Sequence, residues 1–306
     1  MPDFPLPPLT GEHATPAPGG VPDFGARDIG VVVVTYASAA TIERCLAALL
    51  AARDVARVVV IDNASPDDTA DIVARLCRRD PRLGLVRNPD NRGFGAACNQ
   101  GATAIAQPWV VFVNPDAFVN RDTLARLVDC AMARPGAGLL GVEQRDERGE
   151  PDPASRRADP SLREQLLSLG KREHLFLGKD PALAVQPVDA VSGALMLLPT
   201  VLFVRLGGFD EGYRLHAEDL DLCRRVRDAG YEVVVANQLW VTHVRGVSSR
   251  RRPAWVELQK HRGLWRYFRK FEAATTPALL QPVLFAALWA HFAAVLARQL
   301  WQRLRG

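Results

Sequence analysis

The chain is poor in paired cysteines: its 306 residues hold five (Cys45, Cys77, Cys98, Cys130 and Cys223), an odd number with no C-x-x-C spacing. That excludes a disulfide scaffold and a zinc ribbon, and predicts a reducing compartment in which each thiol is a small core residue. A basic start and a continuous apolar core are both missing from residues 1–27, which instead carry Pro2, Pro5, Pro7, Pro8, Pro16, Pro18 and Pro22. This pattern predicts a flexible leader rather than a signal peptide or a membrane anchor. Internal repeats are absent as well, and neither sign of charge dominates, with a net charge of +4.

What is present is enough apolar sequence for a large core: 48% of residues are hydrophobic and 24% charged. From residue 29 to 113, strand-like and helix-like segments alternate, with strands predicted at 29–35, 57–61, 84–87 and 109–113. Helices are predicted at 39–52, 66–79 and 93–106. Cys45, Leu46, Leu49 and Leu50, and then Ile72, Val73 and Leu76, repeat at helical spacing, whereas Val58 to Ile61 and Trp109 to Val113 are continuous apolar runs suited to strands buried on both faces. Such alternation predicts right-handed crossovers and a mostly parallel sheet. A helix at 122–133, strands at 138–142 and 188–198, a helix from Glu218 to Gly230 and a strand at 231–235 follow. Between them, residues 143–187 are polar and weakly patterned, as functional loops often are.

The polar residues that end these runs should line one crevice, since ligands of open α/β sheets bind beyond the carboxyl ends of the strands. The turn after the first strand, Thr35-Tyr36-Ala37-Ser38-Ala39-Ala40, has no glycine, which argues against a dinucleotide fold. Asp62, after the second strand, could accept the N3–H of uracil or thymine, or could simply shape the turn D-N-A-S-P. Asn91-Arg92-Gly93-Phe94-Gly95-Ala96-Ala97 opens a helix with small residues, which suits either phosphate and ribose oxygens at the free amides or tight helix-on-sheet packing. Asp116 in Asn114-Pro115-Asp116 could serve a hard cation or a turn, and His243, at a strand end, could reach the same cation or be structural. The densest acidic stretch is Gly208-Phe209-Asp210-Glu211 followed by Glu218-Asp219-Leu220-Asp221. Its last acids fall at a helix start, where they either cap the helix or move protons.

The C-terminal part is basic and then uncharged. Between His243 and Glu272 nine Lys or Arg face Glu257 and Glu272, a segment charge of +7, and no residue from 273 to 297 carries a formal charge. Pro277 and Pro282 interrupt that run, so a helix lying in a membrane interface or packing on the domain is predicted rather than a span. An aromatic-basic stretch at 245–271 would also suit a nucleic acid. That alternative leaves the strand-end acids unexplained and would repel a polyanion from them, so no nucleic-acid partner is expected.

Taken together, V-V-V-V-T-Y at 31–36, I-D-N-A-S at 61–65, N-R-G-F-G-A-A-C-N-Q-G at 91–101, N-P-D at 114–116, G-A-L-M at 193–196, G-G-F-D-E at 207–211, E-D-L-D-L at 218–222 and His243 make the chain similar to the family 2 glycosyltransferases of the GT-A fold. The resemblance covers about residues 29–269 and is strongest to the bacterial rhamnosyltransferase type that builds cell-surface glycans. It implies an α/β fold with a Rossmann-like, mostly parallel central sheet flanked by helices, as a glycosyltransferase domain at 28–247 and a helical extension at 248–306. It further implies inverting transfer from a nucleotide diphosphosugar to a glycan or polyprenyl-linked acceptor, with Mg²⁺ or Mn²⁺, at the cytoplasmic face of the membrane. Donor binding would fall to Thr35, Tyr36, Asp62, Asn63, Asn91, Gly93, Phe94, Asn114, Asp116 and Gly193, metal binding to Asp116 and His243, and base catalysis to Asp219 with Glu218 beside it.

The basic run Arg250, Arg251 and Arg252 would close over phosphates or meet an anionic membrane. dTDP-rhamnose is the expected donor; the alternative is a galactofuranosyl- or other hexosyltransferase using a UDP-sugar. Two departures from the family pattern bear on the donor: Ala37 where Asn is common, and Leu198-Pro199 in place of an Arg. The Q-x-x-R-W signature of processive members is also missing, which favours transfer of one sugar or a few.

Overall fold

The computed structural model describes residues 27–159, 161–162, 175–244 and 253–305. The leader up to residue 26, the centre of the weakly patterned 143–187 segment and Arg250, Arg251 and Arg252 lie outside the described residues. The branched apolar runs form the middle of a nine-stranded sheet: β1 (Ile29–Thr35), β2 (Val55–Asp62), β3 (Leu83–Arg87), β4 (Trp109–Val113), β5 (Ala117–Val119), β6 (Ala137–Arg145), β7 (Val185–Pro187), β8 (Leu195–Pro199) and β9 (Glu232–His243). The order is β3-β2-β1-β4-β8-β6-β9-β5, with β7 also on β9.

Pairing is parallel from β3 through β4. Beyond β4 it is mixed: β8 runs antiparallel to β4 and β6, β9 runs parallel to β6, and β5 and β7 run antiparallel to β9. The reversal at β8 matters for function. Register pairs Val113 with Leu195, so the start of β8 lies beside the end of β4 at the edge where β1 and β2 also end. The strand expected over 188–198 is confined to Leu195–Pro199, because the chain between Val188 and Ala194 leaves the ladder to form this edge.

Strand alternation splits the interior into two cores, one on each face of the sheet. Val31, Val33, Val58, Val60, Val111 and Val113 face helices α1 (Ile42–Ala51), α2 (Thr69–Cys77) and α4 (Thr123–Ala133) through Leu46, Leu49, Val73, Leu124 and Val128. Val32, Val34, Val59, Ile61, Val110 and Phe112 face α3 (Phe94–Ala102), the short α5 (Thr200–Arg205) and α6 (Glu218–Asp228) through Ala97, Cys98, Phe203, Leu222 and Val226. The five thiols are free, with Cys45, Cys98 and Cys223 buried.

Two long helices complete the described chain: α7 (Pro253–Phe271) and α8 (Gln281–Arg305). They pack through Phe268, Leu284 and Leu288, with Trp265 against Phe285. Helix α8 is long and apolar enough over Gln281–Gln302 to cross a membrane by length and composition, and only 11% of that stretch is buried.

Candidate active site

The polar ends of β1, β2 and β4 converge as expected of a parallel sheet. The Asp62 carboxylate accepts the Thr35 hydroxyl at 3.0 Å, the Ser65 hydroxyl at 2.5 Å and the Ser65 amide at 3.0 Å, and is buried. It therefore shapes its turn, yet Oδ2 accepts only the Ser65 amide and keeps lone-pair capacity for a further donor. Asn63 is a strut: its Nδ2 donates to the Gly93 carbonyl at 3.1 Å and its Oδ1 accepts from Asn88 at 2.9 Å. Asn91 Oδ1 accepts the Gly93 amide, and Phe94 packs edge-on against Phe209.

Gly93 has φ +91°, and a methyl group there would lie 2.9 Å from the Arg214 carbonyl oxygen. At the other end of α3, a methyl on Gly101 would lie 2.4 Å from Val32 Cγ1, so close helix-on-sheet packing is one reason for the small residues. Left-handed backbone at non-glycine residues is concentrated around this edge: Ala37 (φ 53°) follows β1, Ala64 (φ 59°) follows β2, and His216 (φ 66°) and Ala217 (φ 70°) precede α6. Such conformations cost about 1–2 kcal/mol each and cluster where strain serves a site. Asn tolerates this region better than Ala, which gives the family's Asn at position 37 a physical reason.

The β5–β9 ladder pairs Ala117 with His243 and so places His243 against Asp116, with Nε2 3.2 Å from Asp116 Oδ1. On the other side of the ring, Nδ1 lies 2.9 Å from Gln144 Oε1. With Nδ1–H donating to that amide oxygen, a neutral imidazole turns a lone pair toward a carboxylate. Two facing acceptors need a proton or a cation between them. No third His, Cys, Asp or Glu joins them among the described residues. This donor set fits a hard divalent ion that completes its shell with diphosphate oxygens.

The neighbouring acids Glu218 and Asp219 meet different elements. Asp219 Oδ2 accepts the Gly193 amide at 3.1 Å, next to the start of β8, while Glu218 turns toward α3, its Cβ 3.9 Å from where a methyl on Gly95 would sit. Burial, reinforced by the Asp219 charge, pushes the Glu218 carboxyl up to about 8, and its Oε2 has no hydrogen-bond partner. Burial alone would raise Asp219 too. The Arg157 guanidinium and the Gly193 and Leu220 amides outweigh it and hold Asp219 below the ordinary carboxylate range. The helix-start position gives no side-chain cap, since Ala217 is the N-cap residue.

Several partners in the site carried no signal in the sequence. Arg157 Nη2 donates to Asp219 Oδ2 at 2.6 Å. Its neighbour Arg156 points the other way, as successive residues of an extended chain do, and is buried between Glu143 and Asn237. Asn99 holds the Gly208–Glu211 turn, accepting the Phe209 amide at 2.8 Å and donating to the Phe209 carbonyl at 2.9 Å. From α7, Arg266 and Lys270 clamp Asp210, and Lys270 also reaches Asp221 at 2.7 Å. Burial opposes ionisation of Asp210, but hydrogen bonds from Arg266 and Lys270 win and bring it down to about 2. Asp210 and Asp221 are thus tied to α7, whereas Asp219 pairs with Arg157 and the Gly193 amide.

The glycosyl transferase family 2 model matches residues 30–182, half of the chain. The chain belongs to glycosyl transferase family 2. Among characterised relatives, the N-acetylglucosaminyl-diphospho-decaprenol L-rhamnosyltransferase of Mycobacterium tuberculosis is 29% identical over 273 residues, covering 77% of this chain and 86% of the relative. The rhamnosyltransferase WbbL of Escherichia coli K12 is 25% identical over 209 residues, covering 65% and 77%. Among solved structures, the mannosyltransferase PcManGT from Pyrobaculum calidifontis, in complex with GDP-Man and Mn²⁺, shares the fold at TM-score 0.59 and 24% identity, over 95% of this chain and 78% of that one. GalNAc-T7 with UDP, GalNAc and Mn²⁺ shares it at TM-score 0.61 and 15% identity, over 79% and 47%.

Proposed function

We propose that this family 2 enzyme inverts the anomeric centre as it moves rhamnose from dTDP-rhamnose to a hydroxyl of a lipid-linked, diphosphate-bearing N-acetylglucosamine. The chemistry rests on one observation: of the two buried acids, it is Asp219 that meets the Gly193 amide at the strand ends, whereas the Glu218 Cβ lies against α3. The sugar and acceptor rest on the likeness to the mycobacterial relative. In the reaction the acceptor oxygen forms a bond to the anomeric carbon on the face opposite the diphosphate. The bond from that carbon to the phosphate oxygen breaks, its electron pair leaving with the nucleoside diphosphate, and Asp219 takes the hydroxyl proton. General-base help of this kind is worth about 10²–10⁴-fold.

Asp62 would accept the N3–H of the thymine base through its remaining lone pair. Asp116 and His243 would hold Mg²⁺ or Mn²⁺, an ion that stabilises a departing diphosphate by several kcal/mol. In α8 and just before it, Leu279, Val283, Leu300 and Trp301 are exposed, as are Arg298 of α8 and Arg262 and Arg269 of the adjoining α7. An apolar face with flanking cations suits peripheral attachment to an anionic membrane, where the lipid-linked acceptor resides.

The test is transfer by the purified full chain to a lipid-linked diphosphate N-acetylglucosamine, with dTDP-rhamnose and UDP-hexoses compared with and without Mn²⁺. Rhamnose transfer with the product anomer opposite to the donor's is expected. Turnover with a UDP-hexose alone would move the enzyme to the hexosyltransferase alternative, and a retained anomer would end the single-displacement mechanism.

A further inference from the structure

Arg157 is anchored through its backbone. Its backbone exchanges two hydrogen bonds with Ala190, both 2.9 Å, and bridges to Phe176 as well. From that anchor the side chain reaches Asp219 Oδ2 at 2.6 Å and the Val191 carbonyl, while its buried Nε has no partner. Neither end of the ion pair is sealed: the Arg157 and Asp219 side chains keep 18% and 13% exposure.

This contact conflicts with the role proposed for Asp219. Oδ2 already accepts the Gly193 amide, so the guanidinium fills its second lone pair, and Oδ1 accepts the Leu220 amide at 2.8 Å. Oδ2 so occupied has no lone pair left for a proton, Oδ1 keeps one, and the arginine beside the carboxylate weakens it as a base at either oxygen. The other groups that act electrostatically with Asp219 do not relieve this: Glu218 and Cys223 are buried, and burial holds His216 down to about 4. Displacement of the guanidinium frees Oδ2 and raises the basicity of the whole carboxylate.

We infer that Arg157 is a latch on Asp219 that the diphosphate of the acceptor releases, the guanidinium passing from carboxylate to phosphate as the acceptor hydroxyl arrives. The inference rests on the function proposed above, in which Asp219 is the base and the acceptor carries a diphosphate. A guanidinium binds phosphate bidentately with two parallel N–H bonds, and the unpaired Nε supplies the second donor. The segment that carries Arg157 also favours the acceptor over the donor as the source of that diphosphate. Among the described residues its contacts run to Asp189, Arg224, Arg227 and Tyr267 through Asp159, to Glu272 through Leu162, and to Gln144, Glu143 and Asn237 through Ser155 and Arg156, and none runs to Thr35, Asp62 or Asp116. Such a latch keeps the base closed to water until an acceptor of the right charge binds. No covalent step is added to the transfer.

The test compares wild type, Arg157→Gln and Arg157→Lys as full chains. Kinetics are measured with an alkyl-diphosphate N-acetylglucosamine, with the uncharged octyl N-acetylglucosaminide, and with water alone as donor hydrolysis. In Arg157→Gln, KM for the diphosphate acceptor should rise about tenfold or more, the loss of one charge-assisted contact, with KM for the octyl glycoside and for the donor unchanged. Donor hydrolysis should rise several-fold, because the base is no longer latched. Arg157→Lys should fall between, with charge but no fork. An unchanged preference for the charged acceptor together with unchanged hydrolysis would reduce Arg157 to a structural residue, and a rise in donor KM instead would mean that it binds the donor's diphosphate. A wild type that transfers to neither acceptor defeats the proposed function itself. The latch is then decided by calorimetric titration of inorganic pyrophosphate, which should bind at least about tenfold more weakly to Arg157→Gln and, if unaffected, refutes it.

Discussion

Around Asp62 the hydrogen bonds are short in sequence, three positions to Ser65 and 27 to Thr35, and Asn63 reaches Gly93 across 30. Around Asp219 and Asp116 the ion-pair and imidazole contacts are long, Arg157 meeting Asp219 across 62 positions and His243 meeting Asp116 across 127, although Gly193 reaches Asp219 across 26. The first set spans two consecutive strand-helix-strand units, so turn residues and short crossovers are enough to assemble it. The second set exists only once β8 has reversed and β9 has paired with both β6 and β5. The surroundings of Asp62 are therefore a local construction, and the side carrying the proposed base and the candidate metal pair is a product of the whole topology.

Single substitutions should break the two sides differently. The largest effect is expected where two distant elements share one ligand: Asp116→Ala should lower Mn²⁺-dependent nucleotide-sugar affinity by about 10²-fold or more, and His243→Ala by about tenfold, both measured by donor titration with and without Mn²⁺. Unchanged titration curves in His243→Ala would make that residue structural. On the donor side, Gly93→Ala forces a methyl to 2.9 Å from a backbone oxygen at φ +91°. It should cost about 1–3 kcal/mol of stability in a denaturant melt and weaken donor binding, while a settled alanine with normal stability would show that the turn can relax.

A smaller, pH-dependent effect separates the two acids. The folded chain keeps the Glu218 proton up to about 8, whereas the unfolded chain loses it near 4.5, so this group favours folding at low pH and the contribution is lost as pH rises toward 8. His216, brought down to about 4 from 6.5, has the opposite slope, but only below 6.5. Between about pH 6.5 and 8, stability should therefore fall with rising pH, and Glu218→Gln should flatten that slope in urea melts. A slope identical to wild type would place the Glu218 proton elsewhere. The smallest effect on turnover is expected from Leu279→Asp with Val283→Asp, which should abolish pelleting with anionic vesicles while activity on a water-soluble acceptor persists. Undiminished pelleting would remove this face from membrane contact.

The same division governs what could be read from residues alone. β1 and β4 lie where continuous branched and aromatic runs predicted them, and the acidic turns after β2 and β4 share one edge. β5 has three residues, too few to show a period, although it positions His243. α5 has six residues and is entered from Pro199 at the end of β8, so the apolar run gave no break to mark it. Arg157 had no visible role because its partner is 62 residues away and its own segment lacks periodicity. Asp210 looked like part of the same acidic cluster as Asp219, and what sets it apart from the proposed base is its clamp by Arg266 and Lys270 on α7.

The division of labour between the adjacent acids is tested most directly by turnover and donor affinity in Asp219→Asn and Glu218→Gln, side by side. Asn keeps the size of Asp219 and can still accept the Gly193 amide, but an amide cannot take the acceptor proton. Asp219→Asn should remain folded, bind the nucleotide sugar as wild type does, and lose at least about 10²-fold in kcat, while Glu218→Gln, neutral as the buried acid already is near neutral pH, keeps most of its activity. Near-normal kcat in a folded Asp219→Asn, or its collapse in Glu218→Gln alone, would contradict the assignment of the base to Asp219.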